Sequence, residues 1–178
     1  SAINPGSELI KLLQAGALAS DAWLIQKDGR WVIKGDPTEG ALVTAAAKAG
    51  LVKKDLEENF PRIHEIPFTS ESKRMTTVHK TSTGVVAFSK GAPEIIMTLC
   101  RNRLISETVL PLTAQESERI LTIARDMASR SLRVLGIAYK PNATAADAER
   151  DMVFLGLVGM IDPPRPEAKE AVKLCKQA

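Results

Sequence analysis

Leu9, Leu12, Leu13 and Ala17 fall on one face of a helix predicted from Glu8 to about Ala19, with Ser7 as its cap. The pattern then changes to sheet. Trp23 to Gln26 and Trp31 to Lys34 flank Lys27-Asp28-Gly29-Arg30, and Asp-Gly between two apolar segments predicts a hairpin. A helix follows from Pro37 to Ala49. Asp36 caps it, Pro37 suits its first position, Glu39 is spaced to close a capping box, and Gly50 ends it.

After a polar helical turn at Asp55 to Asn59, the segments His64 to Phe68, Arg74 to His79 and Val85 to Ser89 read as strands, the last two joined by a turn at Thr81 to Gly84. A short helix is expected from Ala92 to Cys100. A longer one is opened by Thr113 with Glu116 three residues on, carrying Ile120, Ile123, Ala124 and Met127 inward. Leu132 to Tyr139 and Met152 to Ile161 supply two more strands, and Pro166 to Lys176 starts a last helix. Consecutive strands joined by short turns imply antiparallel pairing, so the fold class is α+β, an antiparallel β-sheet flanked by helices. No repeat or low-complexity block interrupts it. The one boundary signal is Asp162-Pro163-Pro164-Arg165, where two prolines stiffen a turn; an ordinary rigid loop would look the same.

Composition narrows the classes. With 178 residues and 44% hydrophobic content, the chain can bury one full core. The net charge of +3 is spread along the chain without runs of Lys and Arg among aromatics, which argues against a nucleic-acid partner and suits a small anionic ligand. Cys100 and Cys175 form no CxxC pair, and with only His64 and His79 to join them no disulfide framework or zinc site is indicated. The longest apolar run, Met152 to Ile161, is too short to cross a bilayer and reads as a buried strand. The start of the chain has no signal-peptide pattern, and the sequon at Asn142 is expected to go unused in a cytosolic setting.

Aromatics make up only 4% of the residues, so each ring is informative. Phe68 sits among Thr69, Ser70, Glu71, Ser72 and Lys73, where it either anchors a strand end inward or serves a ligand. Gly35 and Gly40 have P-loop spacing, but Ala41-Leu42 follows where that loop needs Lys and Ser or Thr. No Gly-x-Gly-x-x-Gly follows a strand, and no spacing suggests a Ser-His-Asp triad.

Five segments occur in order: Lys34-Gly35-Asp36-Pro37-Thr38-Glu39-Gly40-Ala41, Phe68 to Met75, Lys90-Gly91-Ala92-Pro93-Glu94, Leu132-Arg133-Val134-Leu135 and Met160 to Arg165. In order and approximate spacing the set resembles the nucleotide-binding domain of P-type cation-transporting ATPases, nearest the bacterial calcium-pump branch. The resemblance implies a nucleotide-binding domain over residues 1–161, then a hinge and the truncated first helix of a phosphorylation domain over 162–178. It implies ATP as ligand, with Mg2+ in the full-length pump. The implied partners are the phosphorylation and actuator domains of the same pump, with no nucleic acid and no direct membrane contact, and the isolated domain is expected to be monomeric. The implied location is the cytoplasmic side of an integral membrane protein.

An adenine site needs a stacking ring, an acceptor for the exocyclic amine and apolar lining, while the phosphates need cations. By resemblance Phe68 stacks on the base, Glu39 contacts its amine, Lys90 lies in the pocket, and Arg133 and Lys73 face the phosphates. Thr38, Gly91 and Leu135 line the same cavity, and Met75 with Leu135 supplies soft apolar contact. Each residue also has an ordinary reading: Glu39 as a capping residue, Lys73 as a solvated loop charge, Arg133 as a strand-edge surface group. Ser70 stands where the calcium-pump pattern can carry an arginine, so one phosphate contact is expected to be missing or replaced by water.

P-type pumps phosphorylate the aspartate of an Asp-Lys-Thr-Gly sequence, and no aspartate here is followed by Lys-Thr-Gly. The chain is therefore expected to hold ATP and deliver its γ-phosphate to another domain rather than to turn it over. The competing readings are a stand-alone regulatory module that senses adenine nucleotide and an independent soluble hydrolase. The transported ion is not written in this chain.

Overall fold

The computed structural model describes residues 6–161, together with Lys173 and Cys175. The Asp162 to Arg165 hinge, the helix expected after it apart from those two positions, and the division at 161 and 162 lie outside the described residues.

Helix α1 (Ser7–Leu18) leads into the hairpin β1 (Trp23–Lys27) and β2 (Arg30–Lys34), then α2 (Pro37–Lys48) and α3 (Lys53–Asn59). Strands β3 (Arg62–Ile66), β4 (Arg74–Thr81) and β5 (Gly84–Gly91) follow as a meander. Then come α4 (Pro93–Leu99), β6 (Cys100–Ile105), β7 (Thr108–Pro111), α5 (Ala114–Ser129), β8 (Arg133–Pro141) and β9 (Met152–Met160). The hairpin stands as a two-stranded sheet, and the other seven strands form one sheet in the order β3-β4-β5-β8-β9-β6-β7. Every neighbouring pair in it is antiparallel except β6 with β9, which runs parallel.

The α+β reading holds, with one hairpin that the sequence pattern does not announce. β6 and β7 turn at Ser106 and Glu107, both at positive φ (48° and 65°). Such a turn is usually marked by Asn or Gly, and neither is present here. β7 is exposed throughout, so it also lacks an alternation of apolar and polar residues.

The large sheet is covered on both faces. Leu13, Ala17, Leu18, Ala46 and Leu56 from α1, α2 and α3 pack with Phe88 and Ile137 of the sheet. On the other face Ile96 and Met97 of α4 pack with Ala138, Met152 and Phe154, joined by Ile120 and Leu121 of α5. Neighbours Ile137 and Ala138 thus serve opposite cores, as strand geometry requires. A bulge in β9 shifts the register between Ile137 and Ala138. Gly156 sits there at φ 157°, where an added Cβ would stand 2.5 Å from Leu12 Cδ1, so glycine is what lets α1 lie close on the sheet.

Two details depart from the sequence reading. Thr113 and Glu116 do form a capping box at α5, each side chain bonded to the other's backbone N–H, but Ile123 is 46% exposed. Buried Ala124 with half-buried Ile120 and Leu121 forms the inward stripe, and Ile123 lies beyond its edge. At α2, Asp36 Oδ1 accepts from Thr38 N (2.8 Å) and Glu39 N (3.2 Å), yet Glu39 does not return the bond. Stronger partners elsewhere take its carboxylate.

His79, a residue of β4, is fully buried. Its Nδ1–H donates to Phe60 O (2.7 Å), which leaves Nε2 to accept from Thr77 Oγ1 (2.8 Å). Burial, with Arg62 and Lys53 nearby, lowers its pKa to about 4 against the opposing pull of the Phe60 carbonyl. An unfolded chain takes up this proton near 6.5, so below that pH the unfolded state binds more protons and stability falls until the folded pKa is passed. The linkage amounts to roughly 3 kcal/mol. Urea unfolding at about pH 7.5 and about pH 4.5 should show that loss, and His79→Leu should flatten the profile across this window. An equal acid loss in His79→Leu would contradict the assignment.

Candidate functional site

The C-terminal end of β5, the start of α2 and the start of β8 meet around a cleft of about 710 Å³. Thr38, Glu39, Phe68, Lys73, Lys90, Gly91, Arg133 and Leu135 all line it, as do Asp21, Asp36, Ala92 and Val134. Met75 does not. It is 3% exposed and lies beneath the cleft, with its Sδ 3.5 Å from Lys90 Nζ.

Lys90 and Glu39 form the floor. Lys90 Nζ donates to Glu39 Oε1 (2.6 Å) and to the carbonyl of Ala19 at the end of α1. Glu39 Oε2 accepts from Asp21 N (2.8 Å) and Ala22 N (3.0 Å). These bonds explain why the carboxylate leaves the capping position: an ammonium and two backbone N–H groups outcompete one N–H. Burial pulls the Lys90 pKa down and the Glu39 carboxylate opposes it. A carboxylate offers about four lone-pair positions, and these contacts use three. One acceptor position on Oε1 remains for the cleft.

Lys90 lies at the cleft as the resemblance implies, and its ammonium is 7% exposed with its donors aimed at Ala19 O, Glu39 and Met75. Its task is to hold Glu39. Lys73 and Arg133 stand at the rim.

Phe68 is 60% exposed, so it does not anchor a strand end inward. The polar residues after it build a tight turn. Thr69 Oγ1 meets Ser72 Oγ (2.8 Å) and accepts from Ser72 N (2.9 Å), and Lys73 N donates to Thr69 O (2.8 Å). The turn ends with Lys73 at φ 51°. Its carbonyl accepts from Ala92 N (3.0 Å) and comes so close to Gly91 that an added Cβ would lie 2.5 Å away. Gly91 therefore lets the Lys73 loop close against β5 and fixes the ring and the ammonium on one side of the cleft.

Across the cleft, Arg133 Nη1 donates to Thr38 Oγ1 (2.6 Å) and the side chain is exposed. Burial acts to raise the Asp36 pKa, but the N–H groups of Glu39 and Thr38 and the charge of Arg133 lower it overall. Asp21 went unnoticed in the sequence because it belongs to no motif; it enters the cleft as the connector between α1 and β1, held by Arg62 (2.6 Å).

The two lysines should separate in stability. Lys90→Ala leaves the mostly buried Glu39 carboxylate without its counter-ion and should cost roughly 3 kcal/mol in urea unfolding. Lys73→Ala, at an exposed loop position, should stay within about 0.5 kcal/mol of the parent. Equal effects would contradict the assigned roles.

Comparison with known proteins identifies the family. The family model described as P-type ATPase, cytoplasmic domain N, matches residues 8–167. A calcium-transporting ATPase of Bacillus subtilis is 36% identical over 182 residues, covering 99% of this chain and 20% of the relative. The cation-transporting ATPase pma1 of Synechocystis is 39% identical over 176 residues, covering 96% of this chain and 19% of the relative. A sodium/potassium exporting P-type ATPase, cta3 of Schizosaccharomyces pombe, is 36% identical over 187 residues, with 98% and 18% covered. The chain thus spans about a fifth of the length of these relatives. Matched along nearly its whole length, it belongs to the family of cytoplasmic N domains of P-type cation-transporting ATPases.

Proposed function

We propose that this domain binds ATP in the cleft between Phe68 and Arg133, holds it by the adenine, and presents the γ-phosphate to an aspartate on a separate phosphorylation domain. The observation that carries the reading is the pairing of an exposed ring with a fixed carboxylate in one cleft. Phe68 offers a face for stacking, and Glu39, immobilised by three bonds, has one acceptor position left for the exocyclic amine. Leu135 gives the base an apolar wall. Lys73 and Arg133 stand at the rim, where phosphates would leave the pocket. Arg133 would exchange its bond to Thr38 for a phosphate oxygen, a charge-assisted bond in place of a weaker one.

Phosphoryl transfer is mostly positioning and charge stabilisation. The residues of this cleft can position the nucleotide, while the nucleophile, Mg2+ and its carboxylates would come from the phosphorylation domain. In the parent protein the domain would work on the cytoplasmic side of the membrane beside the phosphorylation and actuator domains, as part of an ATP-driven cation pump. Calcium as the transported ion is supported by the name of the Bacillus subtilis relative and by the likeness of the Glu39-Gly40-Ala41-Leu42 and Lys73 to Thr77 segments to calcium pumps. By itself the chain would act as a monomer.

A base pocket without the partner domain's contacts should bind ATP and ADP at about 0.1 to several millimolar, or about 4 to 6 kcal/mol. Amide shifts near Phe68, Glu39 and Gly91 should move on titration with ATP and hardly with GTP. Phe68→Ala should lose ~1 to 3 kcal/mol of binding while unfolding as the parent does. Equal shifts with both bases, or a Phe68→Ala chain that binds normally, would refute the adenine reading.

With ATP and magnesium, the chain should form no acid-stable phosphoenzyme and release no phosphate above background, since it has no Asp-Lys-Thr-Gly. Turnover that survives repurification and is lost on mutating one of the chain's own residues would instead identify a soluble hydrolase.

A further inference from the structure

A second cleft, of about 620 Å³, opens at the opposite end of β5 and β8. It lies on the face that α1 covers. α1 ends at the Lys90 floor, whereas this cleft is reached by Lys11 and Gln14 from its middle. Its wall is aromatic. Phe60 and Phe88 meet edge-on with ring centroids 6.5 Å apart, and Tyr139 lies beside Phe88 in the next strand. Three of the chain's few rings are thus gathered at one partly open cavity, large enough for a small organic molecule.

The rim determines the class of ligand. Lys11 is the one charged side chain that lines the cleft among the described residues, and no carboxylate lines it. Neither Lys11 nor Gln14, Asn142 or Tyr139 makes a side-chain hydrogen bond or ion pair among the described residues. This contrasts with the polar groups of the first cleft, which are largely engaged with one another. Burial shifts the Tyr139 phenol upward, so it stays protonated and able to donate near neutral pH. An ammonium, a phenol and two amides above an aromatic wall are complementary to a flat ring carrying one carboxylate, and the ammonium, with no carboxylate lining the cleft to offset it, repels a cationic group.

We propose that this cleft is a second ligand site, which takes a small aromatic carboxylate independently of the nucleotide. The ring packs against Phe60, Phe88 and Tyr139, and the carboxylate is met by Lys11 with help from Gln14 and Asn142. The site shares no lining residue with the first cleft, so its occupant does not compete with ATP for contacts.

Naphthoate is a suitable probe, with naphthylmethylamine as its cationic counterpart. Titrated into the chain, naphthoate should give saturating amide shifts at Gln14, Val86 and Tyr139 with a midpoint at or below about 1 mM, and the amine should not. Lys11→Glu, at an exposed position, should weaken naphthoate binding at least about tenfold while leaving the unfolding midpoint unchanged. Phe68→Ala should leave naphthoate binding intact, and saturating ATP should not displace it. These two arms separate this site from the nucleotide cleft whatever that cleft binds. Absence of saturating shifts, shifts centred on Phe68 and Gly91, or an equal response to the amine would overturn the proposal.

Discussion

The end of α1 is where this structure is held together. Helix carbonyls without intrahelical partners need donors, and the negative end of a helix dipole favours cations. Three cations answer here. Lys90 reaches Ala19 O, Lys53 donates to Ser20 O (2.6 Å) and Ala22 O (2.8 Å), and Arg62 donates to Leu18 O and Ser20 O (both 3.1 Å). They come from β5, α3 and β3, so one short stretch of backbone is gripped by two strands of the large sheet and by a helix. Trp23 adds its ring under Lys53 at 4.7 Å.

The candidate site inherits its rigidity from this junction. Lys90 bridges the α1 carbonyl and Glu39, and Glu39 returns to the same connector through the N–H groups of Asp21 and Ala22. The carboxylate is thereby positioned before any ligand arrives, so little ordering cost falls on binding. Burying Lys90 carries a desolvation cost, visible in its lowered pKa, and that cost is met by two oxygen acceptors and not by a nucleotide. The Phe68 loop is fixed by different means, through the hydroxyls of Thr69 and Ser72 and the close approach of Lys73 to Gly91. One side of the cleft rests on a buried ion pair and the other on a polar turn.

Much of this was legible in the sequence where local chemistry decides the outcome. The Asp28-Gly29 hairpin, the Asp36 cap, the Thr113 capping box and the apolar helix faces carry their signals within a few residues. Four of the five motifs likewise marked the residues that line the cleft, Asp21 aside. What could not be read depended on partners distant in sequence. Glu39 and Lys90 are 51 positions apart, and nothing local shows that the lysine faces inward to hold the glutamate. Met75 looked like cleft lining but lies one layer below it, a matter of strand register. The β6–β7 hairpin escaped because its turn lacks glycine and its outer strand is exposed.

A crystal structure of this chain with ATP, in which the contacts of Lys90 Nζ are measured, tests the account most directly. The ammonium should remain bonded to Ala19 O and Glu39, with the adenine stacked on Phe68, its amine on Glu39 Oε1, and the phosphates extended toward Lys73 and Arg133. A Lys90 ammonium drawn off Ala19 O onto a phosphate, or a base bound away from Phe68 and Glu39, would contradict it.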